Sequence, residues 1–277
     1  MFSNRKAIFA TKHSKEKVVS PIFAKELNIK IEVSKEYDTD LFGTFSGEID
    51  RKDTALITCI LKAKDAAKTL GYDLAIASEG SFGPHPSFYF VPGNIEFMCL
   101  VDLKNKIEIV ESILSDKTNY KHFDFSKDYS YSNFLEDIYF PSHSLILRDL
   151  TTGSIIEKAI DDFEQLNDLI SDSFKLSTRL RLETDMRAMC NPMRMQVISE
   201  VAHKLVQRIK RHCSECNTPG FGLVRTEGEL LCEFCQMPTK SYKHITHNCI
   251  KCDYKEILPR EDGLTVVSMQ HCQFCNP

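Results

Sequence analysis

No stretch of this 277-residue sequence comes near the ~18 uninterrupted apolar residues that a membrane span requires. The opening MFSNRKAIFATKHSKEK holds only four consecutive apolar residues (7–10). A secretory leader needs about 7–15 and a small-residue cleavage site. These absences lead to the expectation of a cytoplasmic protein with no membrane partner. Low-complexity segments are also lacking, and so is an excess of positive charge. The 35 Lys and Arg against 39 Asp and Glu give a net charge of −4. That argues against coating nucleic acid by bulk charge, while leaving room for a local basic patch.

What is present suits a soluble globular chain: 42% hydrophobic and 27% charged residues, enough for a large domain plus something small. Residues 1–152 read as mixed α/β. Strand patterns at 7–10, 29–33 and 73–77 alternate with helical spacing at 16–27 and 54–70, and strand pairs follow at 95–102 and 106–112, then 144–147. This is the rhythm of a mixed sheet with flanking helices. Residues 153–211 read as a helical segment packed on that domain. One helix carries Ile156, Ala159, Ile160, Phe163, Leu166, Leu169 and Ile170, and a second opens at Asn191-Pro192 with the stripe Met195, Ile198, Ala202, Leu205 and Ile209.

Residues 212–277 are short, turn-rich and dense in cysteine. Of 11 cysteines, eight form four CxxC pairs: Cys213/Cys216, Cys232/Cys235, Cys249/Cys252 and Cys272/Cys275. Each CxxC turn aims two thiolates at one ion, and a second turn completes a tetrahedron with no open position. Two structural zinc ions in tandem four-cysteine zinc ribbons are expected, which suits a reducing compartment better than disulfides. Sequential pairing is the first expectation, and interleaved pairing is the alternative. His212, His244, His247 and His271 lie near the knuckles but are not needed as ligands. Cys59, Cys99 and Cys190 sit in apolar surroundings and read as buried hydrophobes. Zinc ribbons grip nucleic acid or proteins. Here Lys204, Arg208, Lys210, Arg211, Arg225, Lys240, Lys243 and Lys251 form a moderate basic patch that reads equally as a solvated face.

Three polar loops mark a candidate site in the first part of the chain. Thr11, Lys12, His13 and Lys15 lie between the first strand and helix, where backbone amides, hydroxyls and lysines can hold an anion. The loop at 43–51 carries Glu48 between small residues. Ser78, Glu79, Gly80 and Ser81 follow a buried strand, the place where α/β sheets hold ligands. Separated carboxylates with lysines suit a magnesium–phosphate complex, with Glu48 and Glu79 holding the metal or positioning water. Arg187 and Arg194, further on, are candidates to reach the base or phosphate.

The runs ATKHSKEKVVSPIF, DTDLFGTFSGEI, ASEGSFGPHP, ETDMRAMCNPMRMQVI and the tail HCQFCNP resemble an uncharacterised bacterial family of unknown function with a double zinc-ribbon tail. More distantly, the N-terminal half is similar to the inosine/xanthosine triphosphate pyrophosphatase superfamily. That superfamily has a strand, a Thr/Ser turn with a phosphate-contacting Lys, a helix with a Lys-Ala core, and a strand ending in an acidic-glycine loop. Thr11 and Lys15, Lys62-Ala63 and Ala77-Ser78-Glu79-Gly80 stand at these positions. The superfamily's first-loop Asn is absent, with Lys12 or His13 near its place. The resemblance implies a magnesium-dependent nucleotide phosphohydrolase. The residues leave open a non-catalytic module that senses a nucleotide and docks on nucleic acid or protein through its ribbons.

Overall fold

The structure, a computed structural model, describes residues 1–44, 47–88, 90–127 and 129–277. Phe45 and Ser46 of the second polar loop lie outside the described residues. The chain divides into two compact units, Met1–Val206 and Gln207–Pro277. No helix among the described residues is long and apolar enough to cross a membrane.

The first unit begins where the apolar pattern puts it. β1 (Lys6–Ala10) buries Ala7, Ile8, Phe9 and Ala10 in succession, the signature of a strand covered on both faces. α1 (Glu16–Leu27) ends at Asn28, left-handed at φ 53°, whose N–H returns to Ala24 O. β2 (Lys30–Glu32) pairs parallel with β1. α2 (Ala55–Leu70) opens on Thr54, whose hydroxyl accepts from Ile57 N–H, and closes on Gly71 at φ 73°. Its buried face is mostly small: Ala55, Cys59, Ala63, Ala66 and Ala67, with Thr58 and Lys62 among them. β3 (Leu74–Pro84) pairs parallel with β1 and antiparallel with β4 (Pro92–Asp102), which pairs with β5 (Ile107–Ser115). The result is a mixed sheet ordered β2-β1-β3-β4-β5. The crossovers β1→β2 and β2→β3 run in opposite directions across the sheet, so right-handed connections put α1 and α2 on opposite faces.

One departure from expectation shapes the site. Residues 78–86 read as a loop, yet β3 runs on to Pro84 in register with Pro92 of β4. Gly80 interrupts the apolar alternation because a Cβ there would stand 2.6 Å from Glu96 Oε2. β1 stops at Ala10, opposite Ala77, so β3 continues past its parallel neighbour from Ser78 onward.

A second sheet goes beyond the sequence expectation. β6 (His122–Phe125), β7 (Leu145–Asp149), β8 (Ile155–Ile160) and β9 (Leu180–Thr184) form an antiparallel sheet ordered β6-β9-β7-β8. α3 (Ser132–Asp137) and α4 (Phe163–Ser173) accompany it, and Phe125, Phe134, Ile138, Leu147, Leu166 and Leu182 belong to its core. The continuous helix expected over 156–170 is instead β8 followed by α4. Asp162 makes the break, because its side chain accepts from Gln165 N–H and starts a new helix. Residues 153–211 therefore supply two strands as well as helices. α5 (Pro192–Lys210) forms as expected, with Asn191 Oδ1 accepting from Arg194 N–H at 2.9 Å and Ile198, Ala202, Leu205 and Ile209 buried. Cys59, Cys99 and Cys190 are buried thiols, as their surroundings suggest.

The second unit is an antiparallel meander of β10 (Gly222–Leu231), β11 (Pro238–Asn248) and β12 (Lys255–Pro259). Its buried apolar side chains include Phe221, Leu230, Ile245 and Val267, a small core for its length.

Candidate functional site

Strand alternation sends Ser78 to the opposite face of the sheet from Ala77 and Glu79. Beyond the end of β1, the Ser78 carbonyl accepts from two lysines: Lys15 Nζ at 3.3 Å and Lys62 Nζ at 2.9 Å. Lys15, at the start of α1, also donates to Ser78 Oγ at 2.9 Å. Lys62, on α2, is paired with Glu79 Oε2. Two ammonium groups from opposite faces thus meet at one strand edge.

Two carboxylates and two guanidinium groups complete the cluster. Glu79 Oε1 accepts from Arg51 at 2.6 Å, and Arg51 also donates to Gly80 O at 2.9 Å. Glu96, the cross-strand partner of Gly80, is held by the fully buried Arg194 through Nε and Nη2, both at 3.2 Å. Lys15 Nζ lies 3.6 Å from Glu96 Oε1. Four cations therefore surround two carboxylates among these residues, leaving positive charge in excess. The field is felt locally. Burial, then Lys15, Arg194, Arg187 and Lys62, push His13 down to about 3, so its imidazole is neutral. Burial, reinforced by Arg194 and Lys62 and opposed by Glu96, brings Lys15 down to about 8. Burial alone would raise Glu79, but Lys62, Lys15 and Arg51 outweigh it and hold the carboxyl at about 2.

Two clefts flank this edge. A cavity of about 400 Å³ is lined by Arg51 from the loop before α2, by Gly80, Ser81 and Phe82 of β3, by Tyr120, and by Arg181 and Glu183 of β9. Phe82 and Tyr120 stand 5.7 Å apart at 34°, and the Arg194 guanidinium lies 5.2 Å from the Phe82 ring. The volume and the aromatic wall suit a small organic ligand. A second cleft, about 20 Å³, is lined by Thr11, His13, Lys15, Lys62 and Glu79. Arg51 faces the first and Glu79 the second, so their ion pair stands between the two.

The cysteines form two four-membered clusters, and the pairing is interleaved. Cys213, Cys216, Cys249 and Cys252 converge in one, and Cys232, Cys235, Cys272 and Cys275 in the other. This corrects the sequential expectation, and the strand lengths give the reason. A ten-residue strand spans about 33 Å, so knuckles at the two ends of β10 cannot reach one ion. The antiparallel return of β11 brings the third knuckle back to the first, and the chain beyond β12 brings the fourth to the second. Sγ–Sγ separations of 3.7 and 3.5 Å in one cluster and 3.8 and 3.7 Å in the other match the edge of a tetrahedron with about 2.3 Å metal–sulfur bonds, about 3.8 Å. They are far too long for disulfides. Each cluster can hold a metal ion and is compatible with structural zinc in a ribbon-like module. The two modules share β10 and β11, and no histidine among the described residues joins either cluster.

A family model described as a domain of unknown function (DUF6671) matches residues 62–277. The chain belongs to this family. The match takes in all eight clustered cysteines together with Lys62, Glu79, Glu96 and Arg194; Thr11 to Arg51 precede it. No curated protein matches the sequence. Among solved structures, protein VC0702 from Vibrio cholerae aligns at 9% identity over 73% of this chain and 93% of its own, with a TM-score of 0.34. A PelC dodecamer from Paraburkholderia phytofirmans aligns at 10% identity over 40% of this chain and 70% of its own, with a TM-score of 0.22. At these scores neither informs the function of this family member.

In this DUF6671 chain, Thr11, His13, Lys15, Ser78, Glu79, Gly80 and Arg194 come together as the polar pattern suggests, with Ser81 on the wall of the larger cavity. Lys12 turns to the rim, bonded to Asp38 at 2.6 Å and Asp40 at 2.9 Å. Glu48 is exposed and paired with Lys158 of β8, outside the buried cluster. Arg187 is engaged by Asp185, a fully buried carboxylate. The sequence pattern assigns no site role to Arg51, Lys62, Glu96, Phe82 or Tyr120 on its own. Two of these carry a visible signal: Lys62 interrupts the alanine face of α2, and Glu96 interrupts the inward face of β4 between Asn94 and Met98.

Proposed function

We propose that the first unit binds a nucleotide through its phosphates and hydrolyses it with magnesium, and that each cysteine cluster holds one structural zinc. The observation that carries the binding half is the excess of buried positive charge at the Ser78 edge, beside a cavity large enough for a base and sugar. A polyanion entering that cavity meets Arg51 first, with Lys15 and Lys62 behind it, and neutral His13 can donate to a phosphate oxygen. Phe82 and Tyr120 offer a face for a planar ring. Thr11, Lys15, Lys62 and Glu79 gather at one edge, which accords with the resemblance to the triphosphate pyrophosphatases. Magnesium on the phosphates would supply charge neutralisation and a polarised water. Glu79 is the carboxylate assigned to hold the ion or orient the water. A second reading, binding without turnover, draws support from Glu79 itself, since Lys62 and Arg51 occupy both its oxygens.

In the second unit, four thiolates leave no open coordination position, so zinc there is structural and supports a segment with a small core. Reduced thiolates fit a cytoplasmic location. Acidic and basic residues nearly balance in this unit, and Phe234 and Phe274 of two knuckles are exposed. That favours a protein over nucleic acid as its docking partner.

The decisive assay incubates the metal-loaded protein with magnesium and a panel of common and modified nucleoside triphosphates, and measures phosphate and pyrophosphate release. Hydrolysis of one class, lost by at least about 100-fold in Glu79→Gln with the melting curve intact, is the expected result. Binding without any release selects the second reading.

Lys15 makes phosphate binding pH-dependent. Its folded value of about 8 lies below the ordinary 10.5, so it is charged below pH 8 and neutral above. Affinity for inorganic tripolyphosphate should be level up to about pH 8 and fall as pH rises further, a dependence that Lys15→Gln flattens. The linked effect on folding has the opposite sign: between pH 8 and 10.5 the unfolded chain holds more protons, so Lys15's contribution to stability grows with pH. Calorimetric titration from about pH 6 to about pH 9.5, either side of the folded value, tests the binding half. A profile that is the same in both proteins would refute the role of Lys15.

A further inference from the structure

Of the two cations paired with Glu79 among the described residues, Arg51 is the one that sits on a loop and on the wall of the larger cavity. Lys62 belongs to the middle of α2, is buried, and is also tied to the Ser78 carbonyl. Arg51 comes from the segment between the short 3-10 helix Thr39–Phe42 and α2, and its side chain is 27% exposed. Its guanidinium bridges Glu79 Oε1 at 2.6 Å and Gly80 O at 2.9 Å, and so joins a residue on the wall of the smaller cleft to one on the wall of the larger. The smaller cleft, about 20 Å³, has room for little more than a water. Lys15, Lys62 and Glu79 line this smaller cleft, which is too small for a phosphoryl group, whereas Arg51 lines the larger cavity.

We propose that Arg51 is a ligand-operated gate: a polyphosphate in the larger cavity takes the guanidinium from Glu79, the two clefts join, and the freed Glu79 oxygen becomes a ligand for the divalent cation that accompanies the phosphates. The exchange is chemically matched. A guanidinium binds a phosphate through two parallel N–H bonds at least as well as a single carboxylate oxygen, and the phosphate brings more charge. The vacated Glu79 oxygen is a hard anionic donor beside a phosphate, the pairing that magnesium uses when it is held by one or two carboxylates plus substrate. Arg51 is in this view a positioning residue. It keeps Glu79 from binding cations when no nucleotide is present, so metal and nucleotide enter together. The proposal rests on the nucleotide reading above and adds the order in which the site assembles.

The test uses the full-length, zinc-loaded protein, with Mn²⁺ counted by electron paramagnetic resonance and α,β-methylene GTP and ATP as non-hydrolysed probes. The native protein is expected to bind Mn²⁺ weakly alone and strongly with a probe nucleotide. Arg51→Gln should bind Mn²⁺ without nucleotide roughly tenfold or more tighter than the native protein, while losing nucleotide affinity. Arg51→Lys, which keeps a cation on Glu79, should stay silent to Mn²⁺ alone. Adding Glu79→Gln to Arg51→Gln should erase the gain. A gain of binding cannot come from lost folding, so a structural role for Arg51 would not produce it. Unchanged Mn²⁺ binding in Arg51→Gln, a gain that survives Glu79→Gln, or undiminished nucleotide affinity in Arg51→Gln would each overturn the gate. Absence of nucleotide binding by the native protein, with or without Mn²⁺, would instead overturn the underlying nucleotide reading.

Discussion

Replacing Cys213 and Cys249 together by serine is expected to leave one metal ion per chain, whereas replacing Cys213 and Cys232 together leaves none. The first pair lies in one cluster and the second takes a cysteine from each. Sequential ribbons would give the reverse outcome, so native mass spectrometry of the two double variants decides between the pairings. The energetic stake is large. Structural zinc in small thiolate sites contributes apparent binding free energies of about 10–16 kcal/mol at neutral pH, and this is folding free energy where the metal-free segment has little core of its own. The second unit fits that description, with few buried apolar side chains and much of β10 exposed. Loss of either cluster should therefore melt the adjoining end of the β10–β11 ladder. Loss of both should unfold residues 207–277 as a unit. Hydrogen exchange on the same variants reads this directly: protection along β10 and β11 should fall from the Cys213 end in the first variant and throughout in the second.

Arg194→Met is expected to destabilise the first unit by about 3–5 kcal/mol, because it removes the guanidinium from a carboxylate with no access to solvent. For a domain of this size that is a drop of roughly 6–20 °C in the melting transition. Arg194 also donates to Met186 O and stacks near Phe82, so the loss extends to the wall of the larger cavity. Nucleotide affinity should fall with stability. Pairing the change with Glu96→Gln should recover part of the loss, since the buried carboxylate, otherwise left with Lys15 alone at 3.6 Å, is then neutral. If Arg194→Met melts within a degree or two of the native protein, Glu96 is not held by this pair and the charge account of the site fails. Differential scanning calorimetry, which separates the two units' transitions, is the measurement.

Legibility from the sequence differs from element to element. β1, α1, α2 and α5 are readable because each carries its own signal: an apolar run, helical spacing, the Thr54 cap, the Gly71 stop and the Asn191-Pro192 start. β8 is not, because Ile155–Ile160 and the following helix share apolar residues at spacings that also suit one continuous helix, and pairing with β7 decides between them. The extension of β3 is hidden by two glycines that look like loop residues until β4 is seen alongside. At the site, Lys15 and Glu79 stand out as charges entering a helix or leaving a buried strand. Glu96 and Arg194 lie 98 residues apart, and only the packing of α5 against the sheet joins them.

The sequence by itself determined that this chain has an α/β body with a polar edge and eight thiolates in metal-binding turns, since local spacing specifies both a helix face and a CxxC knuckle. Which knuckles share an ion, which carboxylate faces which cation, and that Arg51 stands between two clefts were decided only by the tertiary structure. Strand length and antiparallel return set the first. The other two depend on where β1 stops and β3 does not, and a strand's end relative to its neighbour is a property of pairing that no single segment encodes.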